Sequence, residues 1–124
     1  MAFPVTNDRG LLVVHPSGKT THADLVDTLK SIHGMDVEPS GSRLLVIDSA
    51  SAYNPSHNEW NELGGLFANL LRKQFQRVAF VAHTDLHYGL GRQMQVILES
   101  EPGQFRVFRS EADARKWLAD PKAA

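Results

Sequence analysis

Short apolar runs alternate along this chain with longer amphipathic stretches. Three of the runs are continuous, as in strands covered on both faces, and the fourth alternates, as in a strand with one exposed face. The runs span residues 11–14, 44–47, 78–82 and 105–108. Residues 3–6 are predicted to pair antiparallel with the first run, because the turn-forming residues 7–10 separate them.

Between the runs, apolar residues recur at helical spacing behind helix start signals. Three of these signals are capping boxes, in which a hydroxyl and a carboxylate three residues later satisfy free N–H groups; the hydroxyls are those of Thr21, Ser56 and Ser110. The first helix is predicted to end at Gly34 in a left-handed conformation, and the last at Pro121. The helix after Ser56 is predicted to be the longest.

A further helix is predicted between residues 88 and 100. The apolar stripe that indicates it consists of Leu90, Met94, Ile97 and Leu98. Gly89 and Gly91 disfavour a helical first turn, so residues 89–92 are interpreted as a flexible loop tip. The alternative is an anion site built from free N–H groups and the Arg92 guanidinium.

Strands that alternate with helices predict an α/β fold with right-handed crossovers. We expect residues 1–124 to form a single domain, with a mixed, mostly parallel sheet of four or five strands flanked by about four helices, since 124 residues suit one core. Ligands of such sheets bind at the carboxyl ends of the strands. That rule selects residues 48–49, 83–85 and 109–110.

Polar and aromatic side chains near these strand ends are the candidate ligand-binding residues. They are Asp48, Ser49, Tyr53, His83 and Asp85. Tyr53 lies in a polar loop, where an aromatic ring is suited to act as a lid or interface anchor. We therefore predict one site at this edge of the sheet.

A cluster with metal-ligand chemistry follows the third run. His83, Asp85 and His87 alternate in sequence, and in an extended segment all three would face one way. Together with Asp48 they could bind zinc, manganese or iron and activate a water for hydrolysis. The other interpretation is a polar loop whose histidines hydrogen-bond to backbone, so the hydrolase is kept as an alternative.

The composition narrows the classes of partner. With 13 Lys and Arg against 14 Asp and Glu, no basic excess is available for nucleic acid. The chain has no cysteine, its first residues lack the basic start and apolar run expected of a signal peptide, and no apolar stretch approaches the roughly 20 residues that span a bilayer. We expect a cytoplasmic protein without a transmembrane segment. Nucleotide, esterase and metalloprotease motifs are also missing, so no cofactor is predicted.

Several segments match the pattern of a known family. They are the strand, turn and capped helix of residues 14–25, the acid-ended strand 44–48, Trp60 early in the next helix, the strand 76–82 and the closing strand and helix of residues 107–118. In these features the chain resembles the SpoIIAA-like family, whose members share a STAS or SEC14-type α/β fold. The resemblance spans nearly the whole chain.

The resemblance implies a noncatalytic regulatory or binding module, which we favour over an enzyme. Better-understood STAS relatives are anti-sigma-factor antagonists, switched by phosphorylation of a serine in an Asp-Ser-Ser-Gly-Leu type segment. This chain has Asp-Ser-Ala-Ser-Ala from Asp48, so the candidate phosphorylation sites are Ser49, Ser51 and Ser56. For Ser56 the other interpretation is a helix cap.

The predicted occupant of the site is a partner protein or a small apolar, lipid-like molecule at the strand ends. A lipid ligand additionally predicts a large apolar cavity beneath residues 49–55. An exposed strand edge and apolar helix faces in so short a chain favour a two-fold homodimer.

Overall fold

The computed structural model describes residues 5–8, 11–15, 21–34, 43–47, 54–73 and 75–120. These residues form one five-stranded sheet in the order β1-β2-β3-β4-β5. The strands are β1 Val5–Asp8, β2 Leu11–Val14, β3 Arg43–Ile47, β4 Arg77–Val81 and β5 Gln104–Phe108. Each of the four apolar runs overlaps a strand, β2 to β5. The predicted first strand is displaced, because Asn7 and Asp8, which were expected in the turn, pair with Leu12 and Leu11 in the ladder.

Strand directions also agree with the prediction. β1 pairs antiparallel with β2, and every later neighbour pairs in parallel. In the β3–β4 and β4–β5 ladders, Ile47 lies opposite Val81, which lies opposite Phe108. The carboxyl ends of these strands therefore share one edge of the sheet, the carboxyl edge.

Each helix among the described residues follows a strand. They are α1 His22–His33, α2 His57–Lys73, α3 Asp85–Ile97 and α4 Glu111–Ala119, and a short 3-10 turn, Leu98–Ser100, extends α3. The predicted left-handed end of α1 is wrong, because Gly34 has φ −83° and ψ −7°. Its N–H still donates to the Lys30 carbonyl at 3.2 Å, so the last turn closes in the right-handed conformation.

The two faces of the sheet are covered unequally. Because each parallel crossover moves to the next strand in the same direction, right-handed connections put α1, α2 and α3 on one face. Their core contains Leu29, Leu70 and Met94 against Leu44 and other sheet residues. On the opposite face, α4 packs through Ala114 and Leu118 against Val13, Leu45, Ala79 and Val81.

Helix α3 differs from its predicted form in three ways. It begins at Asp85 rather than near residue 88, so residues 89–92 are helical and are not a loop tip or a helix start. Gly91 is buried, and a Cβ there would lie 2.5 Å from Val107 Cγ2, so this glycine lets the helix approach β5. Ile97, which the apolar stripe placed in the core, is 55% exposed.

At the amino end of the sheet, a buried arginine joins β4 to the end of α4. Arg77 is only 6% exposed, and its guanidinium donates to the Trp117 carbonyl at 2.7 Å and to the Asp120 carbonyl. Both carbonyls lie at the C-terminal end of α4, where a cation is favourable. Arg77 also lies 5.5 Å from the centre of the Trp117 ring. Burial and the nearby Arg43 lower the Arg77 pKa, and Asp120 opposes that shift.

No helix in the described part of the chain is both long enough and apolar enough to cross a bilayer.

Candidate functional site

Four hydroxyl groups lie at the helix starts that follow β2, β3, β4 and β5. Each accepts a hydrogen bond from a backbone N–H of the first turn at 3.1–3.3 Å; they belong to Thr21, Ser56, Thr84 and Ser110. Because every helix starts where a parallel strand ends, the positive ends of four helix dipoles lie at the carboxyl edge. This edge favours negatively charged groups.

Ser56 forms the full capping box that the sequence predicted. Its Oγ accepts from the Glu59 N–H at 3.2 Å, and its own N–H donates to Glu59 Oε1 at 2.9 Å. The hydrogen bond from the Ser56 backbone holds the pKa of Glu59 below its usual value, although partial desolvation opposes the shift. The cap interpretation of Ser56 is thus confirmed, and its phosphorylation stays a prediction.

The cap at Thr84 was missed by sequence reasoning. Thr84 is followed three residues later by His87 rather than by Asp or Glu, so no capping box marks the start of α3. The available signal was Thr84 followed by Asp85, a hydroxyl and then an acid in the first turn.

This cap changes the geometry of the His83, Asp85 and His87 cluster. The predicted extended segment is wrong, because Thr84 ends the loop and the next residues are helical. In a helix, residues two positions apart point in different directions. Accordingly the Asp85 side chain is 93% exposed, while His87 is 5% exposed.

No three His, Asp or Glu side chains come together as metal ligands within the ranges that the structure describes. Asp48, the fourth ligand of the predicted site, lies outside those ranges, as do Ser49, Ser51 and Tyr53. The cavity predicted beneath residues 49–55 is likewise outside them. Of the predicted site, the described residues include only those that follow β4. His83 is exposed at the end of that strand.

The ends of β4 and β5 are joined by a polar contact. Arg109 Nη1 donates to Asp85 Oδ1 at 2.8 Å, and the same guanidinium lies 4.0 Å from the centre of the Tyr88 ring. The strand-end rule selected both Asp85 and Arg109, and the structure brings them together. Tyr88 was not selected, since nothing in the sequence showed that it would lie beneath the guanidinium.

Two further features of this region were not found from the sequence. Leu86, in the first turn of α3, is 52% exposed. Trp60, in the first turns of α2, has a buried indole Nε1 with no hydrogen-bond acceptor among the described residues. A buried donor of this kind costs free energy unless it finds an acceptor.

The chain is similar in fold to a protein of solved structure. No protein-family model matches the chain, and no curated protein matches it. The match is a crystal structure of an uncharacterized protein of the DUF3478 family, with a SpoIIAA-like fold, from Shewanella loihica PV-4. The two chains are 22% identical, the match covers 94% of this chain and 91% of that one, and the TM-score is 0.56.

The fold is SpoIIAA-like. The family resemblance expected from the sequence is confirmed at the level of the fold.

Proposed function

We propose that this chain is a noncatalytic, cytoplasmic binding module that docks a partner protein at the carboxyl edge, through the first turn of α3. The observation that carries the proposal is the exposure of Leu86 at that edge, next to Asp85 and its ion pair with Arg109. An apolar anchor with a charged rim is the usual composition of a protein interface.

The charge of the edge indicates the chemistry of the partner. The helix ends contribute partial positive charge, and the exposed His83 imidazole lies beside the start of α3. We therefore propose a partner surface that offers an apolar pocket to Leu86 and acidic groups to the helix ends. Asp48, Ser49 and Tyr53 complete the proposed contact surface together with His83 and Asp85.

Two observations favour binding over hydrolysis. His87 is buried while Asp85 is exposed, so the three side chains of the predicted metal cluster do not share one direction. Leu86 is 52% exposed beside them, and an exposed apolar side chain suits a protein contact but supplies no group that activates water.

A pull-down from an extract of the source cells tests the proposal with three baits: the wild-type chain, Leu86→Asp and Val96→Asp. Val96 is the matched control, since it is another exposed apolar residue of α3 but lies near the opposite end of the helix. We expect a protein that is captured by wild type and by Val96→Asp and is lost with Leu86→Asp. Identical captures by all three baits would refute the proposal.

Two further experiments test the alternatives to a protein partner, namely a lipid ligand and a metal ion. Flotation of the protein with vesicles of phosphatidylcholine and phosphatidylglycerol would detect a lipid ligand instead of a protein. Metal analysis of the purified chain that finds near-stoichiometric zinc, manganese or iron would favour the hydrolase over the binding module.

A further inference from the structure

Strand β5 is an edge strand of the sheet that the described residues form. The Gln104 N–H donates to the Gln76 carbonyl at 2.8 Å, on the side of β4. Because backbone groups of successive residues point to opposite sides of a strand, those of Phe105 and Val107 point away from the sheet. Among the described residues, no further strand pairs with them.

One of these outward groups is covered by a side chain. The Val107 N–H donates to Gln95 Oε1 at 3.2 Å, so an amide of α3 lies where the carbonyl of a neighbouring strand would lie. Covering an edge in this way hinders uncontrolled strand pairing. No strand of the described sheet covers the outward groups of Phe105.

A groove of about 300 Å³ runs beside this edge. Its lining comes from both faces of the sheet, with Gln95, Leu98 and Glu99 on the α3 side, Trp117 on the α4 side, and Phe105 and Arg106 from β5 itself. An added strand places alternate side chains on opposite faces, so both walls of the groove would be used.

The charge along the β5 edge favours an acidic strand as its binding partner. Arg106 is exposed, and its guanidinium lies 5.3 Å from the centre of the Phe108 ring. Residues 104–109 contain no acid, and their second arginine, Arg109, is paired with Asp85. The β5 strand of a second copy would add more arginines to the same edge. A strand with acidic residues on the Arg106 face would instead form opposite-charge pairs.

We propose that the β5 edge captures an extended acidic segment of another protein as an additional strand, and that Gln95 covers the edge until the segment binds. This surface is separate from the first turn of α3, so neither proposal depends on the other. Acidic residues of the segment lie on the Arg106 face, and its uncharged residues lie beside Leu98 and Glu99.

The probe is a fluorescein-labelled heptapeptide, Thr-Glu-Val-Glu-Val-Glu-Thr, whose glutamates share one face. Two control peptides have lysine in place of glutamate, or methyl groups on alternate backbone nitrogens that remove the strand hydrogen bonds. Fluorescence anisotropy should show binding of the first peptide, with about tenfold weaker binding of each control. Equal binding of the methylated peptide would overturn strand addition.

Variants locate the binding. Arg106→Glu should weaken binding of the acidic peptide about tenfold and strengthen binding of the lysine peptide. The control is Arg92→Glu, which reverses the charge of an exposed residue on α3 and should change neither affinity by more than about twofold. Gln95→Ala should strengthen the acidic peptide about threefold, because the Val107 N–H becomes free.

Amide chemical shifts provide a readout independent of affinity. The Phe105 and Val107 N–H signals should move on peptide addition in wild type. Signals that do not move would contradict the proposal. Self-association of the chain that the peptide disrupts and that Gln95→Ala enhances would also contradict it, because the β5 edge would then bind a second copy of this chain.

Discussion

Two arginines at opposite ends of the sheet serve different purposes. Arg77 at the amino end is 6% exposed and donates to the last carbonyls of α4, including that of Trp117. Arg109 at the carboxyl end is 58% exposed, and its partner Asp85 is 93% exposed. The amino end uses its cation to hold one helix, and the carboxyl end displays its ion pair to solvent.

The difference separates stability from contact. A buried donor that satisfies helix carbonyls is costly to remove, because those carbonyls then lose a hydrogen bond. An exposed ion pair contributes only about 0–1 kcal/mol, since water and salt screen it. The carboxyl edge can therefore vary its polar groups at little cost in stability, which suits a binding surface.

Substituting each arginine by leucine tests this comparison most strongly. Arg77→Leu should lower the free energy of unfolding by about 3 kcal/mol, because the Trp117 and Asp120 carbonyls lose the hydrogen bonds from the buried guanidinium. Arg109→Leu should lower it by less than about 1 kcal/mol. Urea unfolding at pH 7 measures both values, and equal losses would show that the two ends do not differ.

Two glycines of α3 repeat the contrast between buried and exposed positions within one helix. A Cβ at Gly91 would lie 2.5 Å from Val107 Cγ2, and one at Gly89 would meet nothing within 4 Å. Gly91→Ala should therefore destabilise the chain by about 2 kcal/mol through overpacking. Gly89→Ala should stabilise it by about 0.5–1 kcal/mol, because alanine loses less entropy in a helix.

Thermal or urea unfolding of the two alanine variants gives opposite signs if α3 packs as described. A gain in stability from Gly91→Ala would mean that α3 lies farther from β5.

The capping box of α2 makes a smaller, pH-dependent contribution at the carboxyl edge. The Glu59 pKa is lowered from 4.5, chiefly by the Ser56 backbone hydrogen bond. A lowered acid pKa contributes stability that is complete above the unfolded value and is lost as the pH falls through the folded value. The urea midpoint of wild type should exceed that of Glu59→Gln at pH 7, and the difference should shrink as the pH falls below about 4.5.

The control is the same comparison in high salt, which should leave a difference that arises from a local hydrogen bond. A difference that stays constant down to pH 2 would show that Glu59 acts through packing rather than through its charge.

Local patterns were enough to predict the fold. Continuous apolar runs predicted the parallel strands, and hydroxyl–acid pairs at Thr21, Ser56 and Ser110 predicted three helix starts. These signals depend on residues close to one another in the chain, so they can be identified from a single sequence. The start of α3 lacked such a pair and was misplaced by three residues, from Asp85 to residue 88.

The candidate site was less accessible, because it depends on contacts between distant segments. Arg109 and Asp85 are 24 residues apart, and only the parallel register of β4 and β5 brings them together. The burial of Gly91 likewise depends on Val107 across the β5 contact, and its sequence neighbours indicated a loop. The misplaced start of α3 made the histidine cluster look extended.

The smallest expected effect concerns Trp60 at the start of α2. Its buried Nε1 has no acceptor among the described residues, so Trp60→Phe removes an unsatisfied donor along with some packing. These changes oppose each other, and we expect the free energy of unfolding to change by less than about 1 kcal/mol. Trp117→Phe is the control, since Trp117 contacts Arg77 and lies 5.6 Å from the Phe108 ring, and it should lose about 1–2 kcal/mol. A larger loss at Trp60 than at Trp117 would mean that the Trp60 N–H is satisfied in solution, and the carboxyl edge would then resemble the amino end in using its buried donors for stability.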